Sequence, residues 1–191
     1  MKKKILVIAF IAVCLSIVAY STTAFFSVDD TATNVITMGN IKIELEELAI
    51  PDDGGDPVPF ADVIDVLPGT DVSKIVQVKN TGANPAWIRI SIDKAIELAE
   101  GINGEVDVAL VSLNVNTEKW TELEGYYYYN TALNAGETTE PLFTEVSFAS
   151  NMGNIYQQSK AIIKVFAQGT QTANNGETVF EAAGWPAEQA Q

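Results

Sequence analysis

The chain has no histidine, one cysteine, and only 11 basic residues against 25 acidic ones in 191. Without histidine it lacks both the commonest general base and the commonest zinc ligand. A Ser-His-Asp triad, a Cys-His dyad and an HExxH metalloprotease are therefore excluded in this chain alone. A single cysteine, Cys14, permits neither an intramolecular disulfide nor a thiolate cluster. A net charge of −14 argues against nucleic acid as a partner, because neutralising phosphates requires clustered Lys and Arg. The length suits one domain, two at most.

What is present begins with a tripartite N-terminus. Lys2, Lys3 and Lys4 precede an apolar run from Ile5 to Tyr20, broken only by Ser16. Small residues follow from Ser21, with Thr22 and Ala24 fitting the −3 and −1 sites of a secretory signal cleaved before Phe25. The alternative is an uncleaved anchor, with Phe25 and Phe26 lengthening the run. The run itself is shorter than the roughly 20 apolar residues that span a bilayer. Cys14 is not a lipoprotein acceptor on this reading, because apolar sequence continues past it and Val13 is bulky for a −1 site. The expected organisation is a signal over 1–24, an N-terminal segment over 25–37, and one domain over 38–191. Three of the 11 basic residues and none of the 25 acidic ones lie in 1–24. The remaining 167 residues thus carry 8 basic and 25 acidic side chains, a net −17, and no cysteine. A chain of this size buries enough surface to fold without disulfides.

That remainder reads as all-β. Ile41 to Glu46 alternates apolar and polar residues, as does Trp87 to Asp93 after Trp87 and, over a shorter span, Val146 to Phe148, while Ile75 to Lys79 reads as a strand with two apolar residues at its start. Val106 to Val111 and Ala161 to Phe166 look like more fully buried strands. Turn signals separate them: Leu67-Pro68-Gly69, Asn80-Thr81-Gly82, Gly101 to Gly104, Asn134-Ala135-Gly136 and Asn151 to Asn154. Short strands spaced by turns predict a sandwich or barrel. Two short helices are expected, over Lys94 to Glu100 and Thr178 to Ala183, each of which meets a glycine stop.

Several blocks carry a family resemblance. They are Phe25-Phe26-Ser27-Val28 with Thr31 to Ile41, then Leu67-Pro68-Gly69 with Val72, Lys74, Val78, Lys79 and Asn80-Thr81-Gly82, then Trp87-Ile88-Arg89. Gly125 to Tyr129 with Leu133, Gly136 to Thr139 and Pro141 to Phe143 follow, and the last are Gln168, Gln171 to Gly176 and Ala183 to Pro186. In this order and spacing the chain resembles the TasA/camelysin family of Gram-positive exported proteins, which are processed by the SipW-type signal peptidase. The resemblance implies a jelly-roll β-sandwich. It also implies a secreted, fibre-forming subunit of the biofilm matrix, with other copies of itself or related matrix proteins as partners. Its N-terminal segment, about Phe25 to Thr37, would act as a donor strand in the next subunit, with Phe25, Phe26, Val28, Val35 and Ile36 filling apolar pockets. The alternative is that the segment pairs within its own molecule. The chain would then be a monomeric surface binding module or a calcium-dependent adhesin.

Smaller features are weighed in the same way. Asp52, Asp53 and Asp56 form an acidic loop of a kind that can hold calcium, although Gly54 breaks the D-x-[DN]-x-[DN]-G spacing. The simpler reading is a solvated turn, and no other cofactor is expected. Leu67-Pro68-Gly69-Thr70 lacks the following Gly and the C-terminal tail of a sortase signal. Tyr126 to Tyr129 in a strand should send two rings inward and two outward. The metalloprotease label of camelysin relatives is not supported, since neither His nor HExxH is present. Glu46-Glu47, Asp52-Asp53 and Glu122-Glu124 are carboxylate pairs with nothing to place them in a cleft. The expectation is therefore a non-enzymatic, secreted protein that touches membrane only through an uncleaved signal.

Overall fold

In the computed structural model, residues 26–29, 34–37 and 41–186 are described. The signal-cleavage residues Thr22, Ala24 and Phe25 lie outside them. Twelve strands form two sheets. The strands are β1 (Phe26–Asp29), β2 (Asn34–Thr37), β3 (Ile43–Ala49), β4 (Val58–Pro59), β5 (Val63–Val66), β6 (Asp71–Asn80), β7 (Ala86–Glu97), β8 (Val111–Leu113), β9 (Trp120–Leu123), β10 (Tyr126–Tyr129), β11 (Phe143–Phe148) and β12 (Ser159–Gln171). One sheet runs β5-β1-β12-β7-β10-β9, with β2 also on β12, and the other runs β4-β3-β6-β11-β8. The expected β-sandwich is thus present.

Period-2 alternation builds the interior. On β6, Lys74, Val76, Val78 and Asn80 point inward and are fully buried. On β12 the inward set runs from Ser159 through Ala161, Ile163 and Val165 to Ala167. Ile88 and Ile90 of β7 meet Val146 and Phe148 of β11 in one apolar cluster shared by both sheets. Each such side chain contributes about 1.5–3 kcal/mol on burial. The antiparallel β7–β12 ladder holds register from Glu97↔Lys160 to Ala86↔Gln171 and is the spine of its sheet. The β9–β10 hairpin turns on Glu124 and Gly125, at φ 51° and 81°. This two-residue left-handed turn matches the strand twist, and glycine adopts it without strain.

Three local expectations are corrected. No α-helix occurs among the described residues; the helical elements are two 3-10 turns, Val108–Leu110 and Asn154–Tyr156. Lys94 to Glu97 continues β7, because register with Lys160–Ile163 satisfies that backbone and overrides helix propensity. Thr178 to Ala183 is a pair of turns, with Glu181 N–H donating to the Thr178 carbonyl and Val179 driven into a pocket. Val106 to Val111 is not a buried strand. Asp107 Oδ1 accepts from Ala109 N–H and starts a 3-10 turn, Val106 and Val108 are exposed, and only Val111 enters β8.

Candidate assembly interface

Open sheet edges decide where another chain can pair. The strands with an open edge among the described residues are short, and β2, paired only with β12, has 4 residues. β4 has 2 residues and ends in Pro59, β8 has 3, and β5 and β9 have 4 each. The longest strand, β12, has 13 residues and is not terminal only because the N-terminal segment covers its side opposite β7.

β1 lies parallel to β12 from Phe26↔Ser159 to Asp29↔Ile162, and β2 continues from Asn34↔Phe166 to Thr37↔Gly169. The offset is 133 residues for the first stretch and 132 for the second. The two strands thus follow one line along β12, with one extra residue on the N-terminal side. The other side of β1 pairs antiparallel with β5, at Phe26↔Val66 and Val28↔Val63. Among the described residues β5 has no other strand partner, so β1 fills a slot one strand wide between β12 and β5. Parallel strands cannot be joined by a tight hairpin, so no hairpin turn links β1 or β2 to β12. Val35 packs against the main core. Phe26, Val28 and Ile36 stand in register with Ser159, Ala161 and Gln168. Beneath this line Gly169 leaves room for the first sheet-crossing residues: a Cβ there would lie 3.2–3.3 Å from Ile41 and Ile43.

The other sequence candidates lie apart from this slot. Asp52, Asp53 and Asp56 are exposed, and Asp53 Oδ1 accepts from Gly55 N–H as a local turn. Among the described residues no three acidic groups come together as a metal cluster. The carboxylate pairs serve separate contacts. Glu46 Oε2 accepts from Gln77 Nε2 at 2.8 Å, and Glu47 Oε1 lies 3.0 Å from Lys74 Nζ.

The tyrosine strand divides between two faces, as its alternation requires. Tyr129 packs against Trp120 in the core at 5.1 Å between centroids with the rings tilted by 53°, and Tyr127 packs against the same core. Tyr126 and Tyr128 face outward, where the C-terminal stretch folds back with Val179, Ala182 and Trp185 to form a second cluster with Trp87. That return is pinned by Asn175, whose side chain accepts from Ala183 N–H at 2.8 Å and donates to the Gln171 carbonyl at 2.8 Å. Tyr129 donates a short hydrogen bond to Glu140 Oε2, while Lys119 Nζ sits 3.0 Å from Glu140 Oε1. These donors hold the Glu140 carboxyl down at about 2, the tyrosine being the larger cause. Burial pushes the Tyr129 phenol up, and the carboxylate adds to it. Sequence reasoning missed this triad, because its members meet only after the strand order is set.

Compared with known proteins, the chain matches no family model, no curated protein and no solved structure.

Proposed function

We propose that the chain is a secreted structural subunit of extracellular matrix fibres that assembles by donor-strand β-augmentation. One observation carries this reading: β1 occupies a slot between β12 and β5 that no other described strand fills. In the free chain the segment closes its own slot. In a fibre the segment of a neighbour takes that place, satisfying the same backbone groups. A head-to-tail exchange of this kind does not close on itself and therefore propagates. Export would free the segment, since it begins where the signal ends. The −17 charge of residues 25–191 (8 basic against 25 acidic) opposes close packing of copies, so assembly strengthens with salt. No catalytic role is proposed.

The test compares protein starting at Phe25 with protein starting at Thr37, by negative-stain electron microscopy and size-exclusion chromatography. Filaments from the first and monomers from the second are expected. A synthetic peptide of residues 25–37 should bind the shorter protein and stop filament growth of the longer one. Monomers from both across salt and pH would overturn the fibre reading. A second reading, a monomeric cell-surface binding module, is favoured by the fact that 26–29 and 34–37 already pair within their own chain.

A further inference from the structure

Arg89 is the single arginine of the chain. It stands on the outward face of β7. Its guanidinium carbon lies 3.8 Å from the Tyr126 ring centroid, 4.6 Å from Trp185 and 5.9 Å from Tyr128. Nε donates to Gln168 Oε1 at 2.7 Å, and Nη1 donates to the Tyr128 hydroxyl at 3.2 Å. Both acceptors are neutral, and among the described residues Arg89 has no ion pair, in a chain with 25 carboxylates. The lysines further along this face of β12 are matched differently: in register Lys160 stands opposite Glu97 and Lys164 opposite Asp93. Arg89 is therefore the surplus positive charge of the face. Its planar fork is already oriented, so little freedom remains to be lost on pairing with a carboxylate.

The surroundings narrow the ligand. Trp185 and Tyr126 are half-buried, and Phe180, 5.8 Å from Tyr128, is 48% exposed. Aromatic faces stacked beside a guanidinium suit a rigid ring that presents an apolar face next to an anion. We propose that the Arg89 cage is a binding site for an acidic saccharide of the uronate class, with the carboxylate on the guanidinium Nη1 and Nη2 hydrogens that Gln168 and Tyr128 leave over and the C–H face of the pyranose on the exposed Phe180 ring. A flexible acidic peptide supplies the carboxylate without the stacking face. The chain's own negative charge repels such a ligand at long range, but screening within about 8 Å at physiological salt leaves the local contact dominant.

The test titrates the monomeric fraction with an oligogalacturonate of about four residues, read by tryptophan fluorescence and calorimetry. Its fully methyl-esterified form and an oligo-glutamate of equal charge are the comparisons. Saturable binding of the acid form is expected, with at least about tenfold weaker binding of the ester and of the peptide. Arg89→Lys keeps the charge but loses the fork, and should weaken binding about tenfold. Phe180→Ala removes the exposed ring while leaving the Tyr126, Tyr128 and Gln168 contacts of Arg89 in place, and should also weaken it. Circular dichroism matching the parent establishes that both variants fold. No saturable binding by the parent, equal binding of ester or peptide, or parent-like binding by a folded Arg89→Lys would each overturn the proposal.

Discussion

Lys74 and Glu47 form an ion pair inside the sandwich, Nζ 3.0 Å from Oε1, with side-chain exposures of 0% and 5%. The ammonium also lies 3.8 Å from the centroid of the buried Phe60 ring. Removing one partner leaves the other charge buried, which typically costs 3–5 kcal/mol. Lys74→Met and Glu47→Leu should each lower stability by about that much in urea denaturation. The double variant should recover most of the loss, because two apolar side chains leave no buried charge. A double variant as unstable as the worse single one would show that the pair has further essential partners.

Acid should weaken the Glu140 contact. The folded carboxyl is held at about 2, below its ordinary value of 4.5, by Tyr129 first and Lys119 second. A depressed carboxylate stabilises the fold above its unfolded value, and that contribution is lost as pH falls through the window from 4.5 towards 2. The group is 45% exposed, so after solvent screening the effect is about 1 kcal/mol or less. Glu140→Gln should therefore be less stable than the parent at pH 6 and nearly equal to it at pH 2, by thermal denaturation at both values. A constant gap across pH would count against the assignment.

Asn80 is fully buried with every side-chain group engaged. Nδ2 donates to the Asn84 and Leu133 carbonyls at 2.8 and 2.9 Å, and Oδ1 accepts from Gly82 N–H at 3.0 Å. It ties the turn after β6 to the loop before β11. Asn80→Ala removes three hydrogen bonds and orphans buried partners, at about 1–3 kcal/mol for the desolvated groups. Asn80→Asp should fare no better, since it forfeits both donors. Chemical denaturation of the two variants checks this.

Gly176 holds the C-terminal return in place. Its φ is +80°, and a Cβ there would lie 2.8 Å from Glu181 Cβ and 3.0 Å from the Glu181 backbone. Gly176→Ala should loosen residues 177–186 and expose Trp87 and Tyr128. The left-handed backbone alone costs an alanine about 1 kcal/mol or more. Faster hydrogen exchange confined to this stretch, with the main core still protected, is the expected readout.

β3 and β7 were legible because they alternate at period 2 through runs such as Ile41 to Glu46, whereas β12 was legible from Ala161 to Phe166 only as a more fully buried strand. The failures have identifiable causes. Lys94 to Glu97 has helix-forming residues but belongs to β7, since a register reaching back from β12 is invisible locally. Lys74 occupies the inward parity of Val76 and Val78, a signal present in the sequence but masked by its charge. Gln168 and Thr170 are buried on the outward side of β12 only because the C-terminal stretch covers them. The strand role of the N-terminal segment was only implied by the resemblance, and residues 26–29 and 34–37 are strands; their one-strand slot was not legible, because β5 and β12 lie far apart in the chain.

The direction of β1 has a mechanical consequence. A strand gripped on both sides and pulled along its own length cannot release its hydrogen bonds one after another. It loads all of them together, as a lap joint loads its whole overlap. If neighbouring subunits are joined through that slot, tension along the joint meets its stiffest geometry. A force peeling β5 away from β1 would meet a softer one, because among the described residues β5 has no second strand to hold it.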